Sequence, residues 1–175
     1  MVNEYEIIKK QLGREPNNLG GVVYYCPFGK PAVIKTLPYS DQHVFPTLYW
    51  LSCPHLVREV SRLEEAGLIK ELTTRLKEDQ SFRREVEVAH QNYAKKRSAL
   101  LTAADISKIK KKSPGILKVL KEAGVGGIME KEGIKCLHTH LADFLATGSN
   151  PVGELVWKLV NWPVECEECE VGANE

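Results

Sequence analysis

The chain has 175 residues, 43% of them hydrophobic and 27% charged, a balance typical of globular rather than disordered or fibrous chains. With 24 basic and 23 acidic side chains its net charge is +1, which favours neither nucleic acid nor an anionic membrane as a partner. No apolar run approaches the roughly 20 residues needed to span a bilayer. The acid-bearing, amphipathic start from Met1 to Gly13 also lacks the apolar core of an export signal. The expected compartment is therefore the reducing cytoplasm, where the five cysteines stay thiols or bind metal instead of pairing.

Val22-Val23-Tyr24-Tyr25 and Ala32-Val33-Ile34-Lys35-Thr36 are short and rich in β-branched or aromatic residues, and Cys26 to Pro31 separates them. That pattern predicts a hairpin around a turn. A loop with Pro38 and Asp41 follows, then an apolar, extended stretch from Phe45 to Ser52. From Pro54 the spacing becomes helical. Leu56, Val57, Val60 and Leu63 form one face, with proline near the start and Gly67 beyond the end. Leu68 to Lys77 predicts a second helix. Asp79 or Ser81 can cap a third that runs to about Leu101 on a stripe of Phe82, Val86, Ala89, Tyr93 and Leu100. Thr102 and Ser113 are caps for two short helices. Gly124 to Gly133 is a glycine-rich turn, and Ile134 to Thr147 is a helix closed by Gly148. Asn150-Pro151 opens a last helix that ends at Trp162-Pro163. The fold class expected is mostly α with a small N-terminal β element. It is a single domain over residues 1–164, with a β and loop part over about 20–53 and a helical part over about 54–162. An acidic, flexible tail is expected over 165–175.

The chemistry-bearing residues are cysteines and histidines. Cys26 and Cys53 each precede a proline, which shapes the turn beside the thiol. Cys53 also falls at a helix start, where free N–H groups and the dipole favour a thiolate. In Lys135-Cys136-Leu137-His138-Thr139-His140, Cys136 and His140 share a face if the helix already runs through Cys136. If the helix starts there, His138 can reach the thiol instead. Cys166-Glu167-Glu168-Cys169 is half of a zinc or cluster motif. Against these stand the ordinary readings: buried cysteine as a small apolar residue, His43 and His55 as loop residues, His90 as a core histidine, and the tail cysteines as part of a terminal segment. Lys108, Lys110, Lys111, Lys112, Lys118 and Lys121 precede Gly124-Val125-Gly126-Gly127. A solvated face is favoured there over a phosphate grip, and the P-loop, nucleophile-elbow and zincin patterns are absent.

At these residues the chain resembles an uncharacterised bacterial family, domain of unknown function 501. The resemblance rests on Cys26-Pro27-Phe28-Gly29, Phe45 to Pro54, Ala89-His90-Gln91-Asn92-Tyr93, Lys135 to His138 and Asn150-Pro151-Val152-Gly153. It implies no established activity. Its motif residues fall on Cys26, Cys53, His90, Cys136 and His138, which favours His138 over His140 as a ligand. It departs from the family pattern at Asp143, where a second histidine is expected. It also implies an association with cell-division and phosphate-metabolism proteins. The leading expectation is a zinc or iron–sulfur site on Cys26, Cys53, Cys136 and His138, with His140, Cys166 and Cys169 as optional ligands. The alternatives are a thiol hydrolase or transferase with Cys53 as nucleophile and His90 or His138 as base, and an interaction module that docks a protein partner.

Overall fold

The computed structural model describes residues 3–40, 43–130 and 132–169. Asp41 of the expected loop and residues 170–175 of the expected tail lie outside them. Helix α1 (Glu4–Leu12) begins at Asn3, whose side chain accepts from the Tyr5 amide, and ends at Gly13 with φ 65°. Strands β1 (Leu19–Tyr25), β2 (Pro31–Thr36) and β3 (Tyr49–Leu51) form an antiparallel sheet in that order. Val22 pairs with Ile34, and Ile34 with Trp50. The expected hairpin is present. Of the expected extended stretch, Tyr49–Leu51 pairs as β3, while Phe45 lies in a loop whose amide reaches the Pro38 carbonyl at 2.9 Å.

Eight α-helices stand among the described residues. After α1 come α2 (Pro54–Glu65), α3 (Leu68–Glu78) and α4 (Gln80–Ser98). Then follow α5 (Ala103–Lys112), α6 (Pro114–Glu122), α7 (Leu137–Thr147) and α8 (Pro151–Leu159). Asp79 caps α4 by accepting from the Phe82 amide at 3.0 Å; Ser81, inside the helix, does not take that role. Thr102 and Asp105 form a reciprocal capping box on α5, and Asn150 accepts from the Gly153 amide at the start of α8. Three boundaries differ from expectation. Helix α4 stops at Ser98, α7 starts at Leu137, and α8 stops at Leu159, so Ile134 to Cys136 and Val160 to Pro163 lie outside the helices. The described helices include none long and apolar enough to cross a membrane.

The main core lies between the sheet and α2, α3, α4, α7 and α8, and contains Val33, Leu56, Val60, Val86, Leu137, Leu141 and Val156. Each such side chain, fully buried, contributes about 1.5–3 kcal/mol. Helices α7 and α8 approach so closely that a Cβ on Gly153 would stand 2.2 Å from the His140 carbonyl oxygen, a position only glycine can fill.

Helix α4 carries a row of buried polar side chains that the apolar stripe alone does not reveal. The Tyr93 hydroxyl accepts from the Leu48 amide at 2.7 Å. Arg97, 0% exposed, donates to the carbonyls of Leu120 (2.7 Å), Val119 and Pro46 (both 3.0 Å), and to that of Ala123. Three of those carbonyls cluster at the C-terminal end of α6, where unpaired C=O groups and the negative dipole end offset the buried charge. Replacing Arg97 by alanine removes the side-chain donor of the Leu120 and Ala123 carbonyls and leaves a cavity. The expected loss is about 3–5 kcal/mol of unfolding free energy in a urea titration.

Candidate functional site

The last turn of α2 and the first turn of α7 meet edge to edge. Cys136 is the N-cap of α7, extended at φ −150°. Because the helix starts only at Leu137, His138 turns beside the thiol and His140 points elsewhere. Glu64 of α2 reaches across, and its Oε1 accepts from the Leu137 amide at 2.7 Å. That oxygen is 3.2 Å from His138 Nδ1, which is itself 3.9 Å from Cys136 Sγ. His138 Nε2 faces the Val57 carbonyl at 3.1 Å and the Ser61 hydroxyl at 3.3 Å. The carbonyl can only accept, so Nε2 carries a proton and the ring is held with Nδ1 toward the sulfur and the carboxylate. Ligand atoms of Glu64, Cys136 and His138 all lie within 4.8 Å of one another.

The electrostatics fit this geometry. Burial pushes the Cys136 thiol up, but the neighbouring His138 and Thr139 outweigh it and the net shift is downward. Burial pulls His138 down, and Cys136, Glu64 and the Val57 carbonyl outweigh that, so its net shift is upward. The thiol and imidazole thus favour a thiolate–imidazolium pair. Both border a cleft of about 350 Å³ walled by Tyr49, Trp50, Leu51 and Val57.

The other expected residues are distributed differently. Among the described residues, Cys26 and Cys53 join no group of three ligand atoms with Cys136, so the expected three-thiolate site is not assembled. Cys53 is the N-cap of α2, 2% exposed. Burial raises its thiol to about 11, although the Leu56 and His55 amides pull the other way. The helix start therefore does not make Cys53 a ready nucleophile. His90 is a core residue. Its Nδ1 accepts from the Val125 amide at 3.0 Å and its Nε2 donates to the Gly133 carbonyl at 2.9 Å. It pins the glycine-rich turn so tightly that a Cβ on Gly124 would lie 2.6 Å from the ring. The turn's amides are also committed, Gly124 to Ile128 and Gly127 to Gly124, so the turn is no phosphate cradle.

His140 is 0% exposed and joins a polar network instead of a thiol. Its Nδ1 donates to Asn150 Oδ1 at 3.0 Å, and Asn150 Nδ2 donates to Asp143 at 2.9 Å. Lys96 Nζ is 3.7 Å from the same carboxylate. Among the described residues, His140 Nε2 and Asp143 Oδ1 have no hydrogen-bond partner. Burial above all lowers the His140 pKa to about 3. The six lysines from Lys108 to Lys121 are all exposed on α5 and α6. In the tail, Cys169 is buried and Glu168 pairs with Arg58. Glu165, Glu167 and Glu168 are exposed, as expected of an acidic tail, while Cys169 is buried.

Glu64 was missed by sequence reasoning. A carboxylate in the last turn of a helix opposes the dipole, and that unfavourable placement is the trace it leaves in the sequence.

A family model described as a protein of unknown function (DUF501) matches residues 22–158. No curated protein and no solved structure matches the chain.

Two outcomes are expected of the metal-free protein. Iodoacetamide at pH 7 labels Cys136 at least about tenfold faster than Cys53, because the thiolate is the reactive form; peptide mass spectrometry reads the order. Stability also falls on mild acidification. The folded His140 value lies below the unfolded 6.5, so its contribution is complete above pH 6.5 and shrinks as pH falls toward 3. Between pH 6.5 and 5 the loss approaches about 2 kcal/mol. In urea titrations a His140→Gln variant shows a correspondingly smaller drop.

Proposed function

The chain belongs to the DUF501 family, and we propose that it binds one zinc ion through Glu64, Cys136 and His138, with the ion's remaining position facing the cleft. The observation that carries this reading is the convergence of one carboxylate oxygen, one sulfur and one imidazole nitrogen within 4.8 Å. Zinc accepts O, S and N donors together, and three protein ligands with a fourth position left open is the pattern of zinc sites that handle a small ligand or water. An iron–sulfur cluster fits less well, since such clusters are held chiefly by several thiolates and this group offers one. The neighbouring contacts suit a ligand role. The Val57 carbonyl fixes the His138 ring, and the Leu137 amide holds Glu64, as outer partners of metal ligands do.

A second reading is supported by one further contact. The Thr139 hydroxyl donates to Cys136 Sγ at 3.5 Å, and together with the helix start and the His138 ring it favours a thiolate. Cys136, not Cys53, would then be the nucleophile of a thiol enzyme, with His138 as base and Glu64 orienting it.

Elemental analysis of protein purified anaerobically separates the two. The metal reading expects a Cys136→Ser/His138→Ala variant to lose about one equivalent of zinc relative to the unaltered protein, and Glu64→Gln to lower zinc affinity about 10–100-fold. An unchanged zinc content in the double variant overturns it. Zinc-free protein whose Cys136 alkylation rate follows the ionisation of His138 supports the thiol reading.

A further inference from the structure

The other four cysteines lie outside the Glu64, Cys136 and His138 group. Cys26 opens a tight turn in which its amide donates to the Lys30 carbonyl at 2.9 Å and the Gly29 amide donates back to the Cys26 carbonyl at 2.9 Å. The Lys30 amide points at Cys26 Sγ at 3.4 Å. Cys53 sits against the same strand, because its amide and that of Ser52 both approach the Ala32 carbonyl, at 3.4 and 2.9 Å. Cys26 and Cys53 belong to one packed cluster and are 8% and 2% exposed.

The chain then returns over this spot after α8. Trp162 stacks on His55 of α2 and meets Phe28 of the Cys26 turn edge-on. Glu168 pairs with Arg58, also on α2. The Gln11 side-chain amide donates to the Pro31 carbonyl at 2.7 Å and to Cys169 Sγ at 3.1 Å, so one side chain links Cys169 to the residue that follows the Cys26 turn. Cys169 is 5% exposed. Three separate anchors therefore bring an acidic Cys-x-x-Cys segment to the place where the two Cys-Pro turns meet.

We propose that Cys26, Cys53, Cys166 and Cys169 form a second, structural zinc site of four thiolates, distinct from the Glu64, Cys136 and His138 group, which clamps the C-terminal segment onto the sheet and α2. The chemistry is that of two turn cysteines plus one Cys-x-x-Cys, a full tetrahedral sulfur set. Among the described residues no three of these sulfurs lie within 4.8 Å of one another, so binding draws them inward. Each thiol gives up its proton to solvent as its sulfur bonds the zinc, with no change of oxidation state. The mutual influence of the sulfurs is already visible: Cys169 and Cys26 each help raise the Cys53 thiol, after burial as the main cause. An ion at the centre turns that repulsion into attraction.

The test uses the full chain, expressed with zinc and purified anaerobically, with zinc and iron measured per protein and cobalt exchanged in as a spectroscopic probe. A Cys166→Ser/Cys169→Ser variant loses about one equivalent of zinc and the strong sulfur-to-cobalt absorption, while its helical circular dichroism is retained. Cys136→Ser/His138→Ala keeps that absorption. The two sites fail separately: if the Glu64 group holds no metal, the Cys136/His138 variant leaves zinc unchanged and the tail variant still removes it. The proposal is overturned if the tail variant keeps the full zinc content and cobalt spectrum. It is equally overturned if iron replaces zinc there, or if anaerobically purified protein shows a Cys166–Cys169 disulfide by mass spectrometry.

Discussion

Helix α4 has to supply hydrogen bonds to chain that is neither helix nor strand. Leu48 and Ala123 to Val125 are buried, and the Leu48 and Val125 amides bond side chains of α4 instead of a backbone ladder. Buried backbone groups without partners cost a large fraction of a domain's stability. The inner face of α4 meets that demand with three polar side chains one turn apart. His90 takes the Val125 amide and the Gly133 carbonyl, Tyr93 takes the Leu48 amide, and Arg97 takes carbonyls of Pro46 and of the end of α6. The placement of β3, α6 and the start of α7 follows from those bonds. The Glu64, Cys136 and His138 group depends on the start of α7 at Leu137, which leaves Cys136 extended as its N-cap.

Two cysteines at helix starts show how little the helix end decides by itself. Cys53 and Cys136 both cap helices in extended conformation. Cys53 is buried in the main core, and burial raises its thiol to about 11. Cys136 has an imidazole and a hydroxyl within reach, and its thiol shifts down. The difference is in what lies opposite the sulfur. For Cys53 that is the core and other thiols, a setting suited to a closed metal site. For Cys136 it is a base, a carboxylate and an open cleft, a setting suited to exchange with solvent or a ligand.

The network of His140, Asn150, Asp143 and Lys96 is a third use of polar side chains, and it is architectural. Asn150 caps α8 while bonding both His140 and Asp143 of α7, so one side chain sets the angle between two helices that touch at Gly153. Keeping His140 neutral in that position ties the packing of α7 and α8 to pH.

Local sequence determined the elements of this protein: the hairpin from two β-branched runs around Cys26 to Pro31, the caps at Thr102, Ser113 and Asn150, and the stripe from Phe82 to Tyr93. Those depend on contacts within a few residues, and such contacts are written in the spacing of side chains. The residue types of both sites, cysteine and histidine, were also legible. Their grouping was not. Helical spacing paired Cys136 with His140 or His138 and left the choice open; the start of α7 at Leu137 decided it for His138. Glu64, 72 positions before Cys136, entered only because α2 and α7 pack together. Cys169 left the solvent beside Gln11, 158 positions earlier in the chain. Which thiols and imidazoles share a site is a question of long-range packing, and in this chain only the tertiary structure answered it.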